Sequence, residues 1–161
     1  MSEVIHNIPP VYDENSEILI LGSFPSVKSR ETQFFYGHPQ NRFWRVCADV
    51  FGCAVPETVD DKKSFLLKNH IALWDVIGSC EIEGSSDSSI KNAVPNDLTE
   101  ILKTAKIRHI YVNGKTAEKY YEKYIFKKTG IKAECLPSTS PANAAKSFDE
   151  LVSCWRVIYR T

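Results

Sequence analysis

Ile18-Leu19-Ile20-Leu21-Gly22 is the stretch on which the fold turns. Four apolar residues in a row, ended by a glycine, describe a strand covered on both faces. A strand with one wet face would instead alternate apolar with polar residues, so this run points to the inside of a parallel sheet. Three later segments resemble it: Ile71-Ala72-Leu73-Trp74, His109-Ile110-Tyr111-Val112 and Ala133-Glu134-Cys135-Leu136, the last being the least apolar. Helical spacing fills the intervals. Phe43, Val46, Cys47, Val50 and Phe51 repeat along one side of residues 42–51, and Asp60-Asp61 suit the start of a helix over 60–69, as caps and against its dipole. Asn96 and Asp97 precede a helix running to about Ala105, and Lys115 opens another to about Lys127, stopped near Gly130. Ser147-Phe148-Asp149-Glu150 fits a capping box, with Leu151, Cys154, Trp155 and Ile158 as the buried stripe of the terminal helix. Alternating strands and helices joined by right-handed crossovers predict an α/β fold. It is a three-layer α/β/α sandwich around a four-stranded, mostly parallel sheet.

With 161 residues, 43% of them hydrophobic, the chain has the size and the apolar content of one globular domain spanning 1–161. No repeat, low-complexity linker or charge block divides it. The start Met1-Ser2-Glu3-Val4 lacks a basic segment followed by an apolar run, and no stretch is apolar enough to span a bilayer. A cytoplasmic protein that does not enter membranes is expected. Cys47, Cys53, Cys80, Cys135 and Cys154 are odd in number and widely spaced, without the pattern of a zinc or iron–sulfur site. They are read as reduced thiols, mostly buried, with Cys135 and Cys154 in the core. No metal and no cofactor is expected. Twenty Lys and Arg balance twenty Asp and Glu, so overall charge does not advertise nucleic acid. A local basic rim from Lys28, Arg30, Arg42, Arg45 and Lys146, all near the loops described next, remains open.

In open parallel sheets a ligand sits beyond the carboxyl ends of the strands. The loops that converge there are Gly22–Asn41, Asp75–Asn92, Asn113-Gly114 and Pro137–Asn143. The first is long and holds Gly22-Ser23-Phe24-Pro25-Ser26, then Phe34-Phe35-Tyr36-Gly37-His38-Pro39-Gln40-Asn41-Arg42-Phe43-Trp44. A connection serving only to link two elements is usually short and small-polar. A glycine after a buried strand lets backbone N–H groups approach a ligand, and aromatic rings beside amide side chains suit a flat, hydrogen-bonding heterocycle such as a nucleobase. Equally, Phe34, Phe35 and Tyr36 could cap the core and Asn41 could cap the helix beginning at Arg42.

Tyr36-Gly37-His38-Pro39-Gln40-Asn41-Arg42-Phe43-Trp44 resembles the H-P-x-N-x-F-W segment of mismatch-specific uracil-DNA glycosylases, and Gly22-Ser23-Phe24-Pro25 stands where that superfamily carries its first motif. Leu136-Pro137-Ser138-Thr139-Ser140-Pro141-Ala142-Asn143 resembles the second, DNA-clamping motif. Leu73-Trp74-Asp75-Val76-Ile77-Gly78-Ser79-Cys80 and Pro9-Pro10-Val11 with Asp13-Glu14-Asn15 resemble the hypoxanthine-DNA (DNA-deoxyinosine) glycosylase branch. Four motifs in the right order on the expected loops are a far stronger signal than any one of them. The resemblance implies a monofunctional glycosylase of base-excision repair, a hydrolase acting on DNA that contains deaminated bases, hypoxanthine foremost, as a monomer. Uracil- or thymine-mismatch specificity and non-catalytic lesion or nucleotide binding are its rivals.

The resemblance also assigns residues. Most relatives hold Asp or Asn at the third position of the first motif, to position or activate the water; here it is Phe24, which can do neither. In the hypoxanthine branch the Asn of H-P-x-N carries catalysis, a role that falls to Asn41. Gly22, Ser23, Phe24, Tyr36, His38 and Asn113 are implied in binding the base, with Tyr36 stacking on it and the backbone N–H groups around Ser23 and Phe24 donating to its carbonyl. Pro137, Ser138, Thr139, Ser140 and Asn143 are implied in DNA binding, with Thr139-Ser140-Pro141-Ala142 occupying the gap left by the extruded nucleotide. Alternatives stay open for three residues: His38 could brace its own loop, Asp75 could be a base or a structural carboxylate, and Asn113 could contact the base or make the turn.

Overall fold

The computed structural model describes residues 3–159; Met1 and Ser2, within the N-terminal reading above, and the last two residues of the 1–161 span lie outside it. In chain order the elements are β1 (Glu3–Ile5), β2 (Ile18–Gly22), α1 (Val27–Thr32), α2 (Phe43–Phe51), α3 (Val59–Lys68), β3 (Ile71–Asp75), β4 (Ile77–Glu81), β5 (Lys91–Pro95), α4 (Thr99–Thr104), β6 (His109–Asn113), α5 (Lys115–Tyr120), α6 (Phe126–Thr129), β7 (Ala133–Leu136) and α7 (Phe148–Trp155). One π turn, Tyr121–Ile125, joins α5 to α6.

β3-β2-β6-β7 form a wholly parallel sheet, and all five residues of β2 are buried. Because side chains alternate across a strand, Ile18 and Ile20 enter one apolar cluster with Phe43, Leu66, Leu151 and Trp155 from α2, α3 and α7. Leu19 and Leu21 enter the other, with Ile101, Ala117 and Tyr121 from the α4 to α6 side. The three layers follow from that alternation. Register aligns Gly22 with Asp75, Leu21 with Val112 and Asn113 with Leu136, so the strands end in one row.

The region after Asp75 differs from the loop expected from sequence. β4 leaves β3 across Val76 and pairs antiparallel with both β1 and β5 in a second, three-stranded sheet. Its outer strand Lys91–Pro95 is largely exposed, which explains its lack of an apolar signature. α3 is capped by the Thr58 side chain rather than by an aspartate, and α4 begins at Thr99, after Asp97 Oδ1 has accepted the Thr99 N–H. The capping box of Ser147 and Glu150 is present.

The terminal stripe is Leu151, Val152, Trp155 and Ile158, while Cys154 is exposed. At about 100° per residue, Cys154 falls roughly a quarter turn to the side of that stripe. Cys135 is half-buried and Cys53 exposed, so only Cys47 and Cys80 are buried, and all five are free thiols. Burial raises both buried thiols, Cys80 to about 11, which leaves them inert at neutral pH.

Candidate active site

The parallel register gathers four strand ends, and the loops that leave them are tied together by side chains. Asn41 Oδ1 accepts from the Phe43 N–H at 2.9 Å, a cap on α2, and from the Thr139 hydroxyl at 2.9 Å. Thr139 Oγ1 in turn accepts from Asn113 Nδ2 at 3.0 Å, and the Thr139 N–H donates to Asn113 Oδ1 at 3.1 Å. Both ends of the Asn113 amide therefore hold the loop after β7. The backbone N–H of Arg42 adds a bond to the Thr139 carbonyl at 3.0 Å. The two readings of Asn41 are thus not exclusive. Its oxygen caps and bridges, and its Nδ2 has no hydrogen-bond partner among the described residues. Two donors on the oxygen fix which end of the amide that is.

Tyr36 has φ of 54°, a left-handed backbone uncommon for any residue but glycine. Its ring stacks on Phe43 at 4.1 Å between centroids, 20° from parallel. Its hydroxyl oxygen is buried and makes no hydrogen bond among the described residues. Burial pushes the phenol well above its ordinary range, the charge of Asp75 adds to this, and the neighbouring Asn113 amide only partly opposes it. Asp75 is buried, with Oδ2 2.8 Å from His6 Nε2. His6 Nδ1 accepts the Ile8 N–H at 3.1 Å, so Nε2 carries the proton and donates it to the carboxylate. Nothing in the sequence near His6 announced this contact, which spans 69 positions and depends on β1 joining the second sheet.

Gly22 is where these groups meet. A Cβ at this position would lie 2.3 Å from Asp75 Oδ1 and 2.9 Å from Tyr36 Oη. Gly22→Ala is accordingly expected to destabilise the protein by about 1–3 kcal/mol through overpacking against a pinned carboxylate, read from denaturant midpoints; a wild-type midpoint would refute the packing argument.

Other expected site residues take different places. Phe24 is buried, edge-on to the His6 ring at 5.9 Å and under the Arg30 guanidinium at 5.5 Å, so its side chain belongs to the core and only its backbone stays at the rim. Thr139, expected against DNA, is fully buried as the bridge between Asn41 and Asn113, leaving Pro141 and Ala142 as the exposed part of that loop. His38 Nδ1 accepts the Gln40 N–H at 3.0 Å, a local brace. Ser138 Oγ accepts from the Ser140 N–H at 3.1 Å, and Asn143 Nδ2 donates to the Ser138 carbonyl at 3.0 Å. Trp155 Nε1 donates to the Pro137 carbonyl at 2.9 Å.

Three of the five side chains expected to form a basic rim are engaged within the protein. Arg42 donates to the carbonyls of Asn143 at 2.9 Å and Lys146 at 2.7 Å, Arg30 to that of Gly84 at 2.7 Å, and Lys28 pairs with Glu31 at 4.0 Å. Ser23 Oγ donates to both oxygens of Asp87, at 3.1 Å each, from a segment 64 residues away. A cavity of about 310 Å³ lies at the opposite end of the sheet, among Ile18, Phe51, His70 and Ile158. It is remote from all of these residues.

Comparison with known proteins follows the same residues through nearly the whole chain. Residues 9–158 match the model of the uracil DNA glycosylase superfamily. Two relatives named hypoxanthine DNA glycosylase are similar over 154 residues, 94% of this chain and 96% of each relative: one from Methanosarcina acetivorans at 39% identity, one from Methanosarcina barkeri at 34%. A solution NMR structure from Methanosarcina acetivorans, described as a candidate uracil DNA glycosylase, superposes with a TM-score of 0.78 at 37% identity, covering 94% of this chain and 96% of that one. Matched in sequence, in length and in fold, the chain belongs to the uracil DNA glycosylase superfamily.

Proposed function

We propose that this chain is a monofunctional DNA glycosylase that hydrolyses the bond between deoxyribose and a deaminated purine, hypoxanthine foremost, and leaves an abasic site. It does so as one domain over 1–161, as a cytoplasmic monomer, without metal or cofactor. Full-length similarity to two relatives bearing the hypoxanthine DNA glycosylase name supports the substrate. Among the described residues no helix is long and apolar enough to cross a membrane.

The observation that carries the chemistry is the fixed amide of Asn41. With its oxygen held by Phe43 and Thr139, its Nδ2 is the end left to donate to a water oxygen beneath the sugar. That orients a nucleophile without deprotonating it. Cleavage of an N-glycosidic bond builds positive charge on the sugar and negative charge on the departing base, so donors aimed at the base matter more than a strong nucleophile. The backbone N–H groups at Ser23 and Phe24 fill that role, and Tyr36, backed by Phe43, supports the face of the extruded base.

Oligonucleotides carrying one hypoxanthine, uracil, xanthine or mismatched thymine, treated with alkali to reveal abasic sites, test the reading. Hypoxanthine is expected to be released fastest. Mispaired contexts should be cleaved faster than paired ones, because the loop tip Pro141-Ala142 is a small wedge and gives little help to extrusion. Equal rates in both contexts refute the wedge argument. Binding without base release under single-turnover conditions would favour the non-catalytic reading, which the burial of Phe24 otherwise supports.

A further inference from the structure

Phe24 turns into the core at the position where most relatives direct the water, and Asn41 offers that water a donor but no base. A carboxylate nevertheless reaches Ser23, the neighbour of Phe24, from elsewhere in the chain. The turn between β4 and β5 folds back over the first loop, where Ser85 Oγ accepts the Val27 N–H at 2.9 Å and the Gly84 carbonyl accepts from Arg30 at 2.7 Å. Bonds within the turn fix its shape: the Glu83 N–H donates to Ser89 Oγ at 2.8 Å and Ser89 Oγ to the Ser86 carbonyl at 2.7 Å. The result sets the Asp87 carboxylate on Ser23, one residue beyond Gly22.

We propose that Asp87 is the carboxylate that accepts the proton of the attacking water during base excision. The role rests on the glycosylase reading above. The oxygen of a water oriented by Asn41 forms a bond to C1′ as the C1′–N bond breaks and its electron pair leaves with the base. The water proton passes to Asp87, and the resulting carboxylic acid can return it to the departing base anion. The sum is water plus nucleotide giving an abasic sugar and a free base, with no co-reactant.

Ser23 supplies a single hydroxyl hydrogen to two Asp87 oxygens, so the carboxylate keeps lone pairs for a water. Asp75 from β3, Tyr36 from the first loop, Cys80 from β4 and Tyr120 and Thr116 from α5 are close enough to feel its charge or bond to it, and Arg30 from α1 reaches the same turn. Asp87 is exposed, with its carboxylate held against the Ser23 hydroxyl. Desolvation by the neighbouring protein atoms raises its pKa, with Asp75 adding to the rise and the Ser23 and Thr116 hydroxyls opposing it.

The sign for activity follows directly. A base works deprotonated, so excision should increase as pH rises through the Asp87 ionisation, which desolvation raises above that of an ordinary aspartate. The full chain and its Asp87→Asn and Asp87→Ala variants should be compared in single-turnover excision of hypoxanthine from duplex DNA, from about pH 5 to 9. Asparagine keeps an oxygen for Ser23 and hence the docked turn, yet is expected to slow excision about 100-fold and abolish the acidic limb, with affinity for abasic product DNA unchanged. An Asp87→Asn protein with wild-type rate and pH profile overturns the proposal. So does faster excision, which would make Asp87 a latch, and so does slowing that leaves the acidic limb intact, which would make the turn structural. Failure of the glycosylase reading looks different: there the unsubstituted chain releases no base at any pH.

Discussion

Asn41→Ala should release hypoxanthine on the order of 10³-fold more slowly than the unsubstituted chain under single-turnover conditions, with a much smaller change in DNA affinity. The substitution removes the Nδ2 donor assigned to the water. It also leaves the Phe43 N–H and the Thr139 hydroxyl without their acceptor, at a cost of about 1–2 kcal/mol in stability. The two effects must be separated, and Thr139→Val does so. Valine removes the hydroxyl that joins Asn41 to Asn113 and should destabilise by about 1–3 kcal/mol. Since Nδ2 of Asn41 survives, its rate should fall by no more than about tenfold. Equal rate losses in the two variants would show that Asn41 serves only to bind loops together.

Trp155→Ala should produce the largest loss of stability, about 3–5 kcal/mol. The side chain is fully buried, meets Phe43 edge-on at 5.8 Å and donates to the Pro137 carbonyl. Phe43 in turn backs Tyr36, so one tryptophan supports both the stacking ring and the loop after β7. Trp155→Phe keeps most of the volume and loses the indole N–H, which isolates the Pro137 carbonyl. A loss of about 1–2 kcal/mol is expected there, with excision falling more than stability alone would require. Urea midpoints and single-turnover rates, measured well below the transition, distinguish the two. An alanine variant losing less than about 2 kcal/mol would mean that the site relaxes around the cavity.

The parallel sheet was legible because its strands are covered on both faces and announce themselves as apolar runs; each of the four expected segments is a strand. The second sheet was not. β4 contains Gly78 and β5 is an exposed outer strand, so neither carries the period-2 pattern that marks a half-buried strand. The convergence of Asn41, Asn113 and Thr139 could be expected from loops leaving neighbouring strand ends, whereas the depth of Thr139 could not, since a threonine in a Pro-Ser turn gives no sign of burial. His6 and Asp87 were invisible for a related reason. Each reaches the site through a contact more than sixty residues distant in sequence, made by elements that only tertiary packing defines. Phe24 gave the clearest warning, because an apolar ring where most relatives direct the water left the reaction without an obvious carboxylate base.

Arg42 spends its guanidinium on the carbonyls of the loop after β7, in a chain whose formal charge sums to zero. Every cation withheld from a phosphate removes about 0.9 from the slope of log affinity against log salt. Undamaged duplex should therefore be visited in brief collisions, with little tracking along the helix. How long the protein lingers at any one step would then be set by how readily that base swings out by itself, so weakness of pairing becomes the signal that the search responds to.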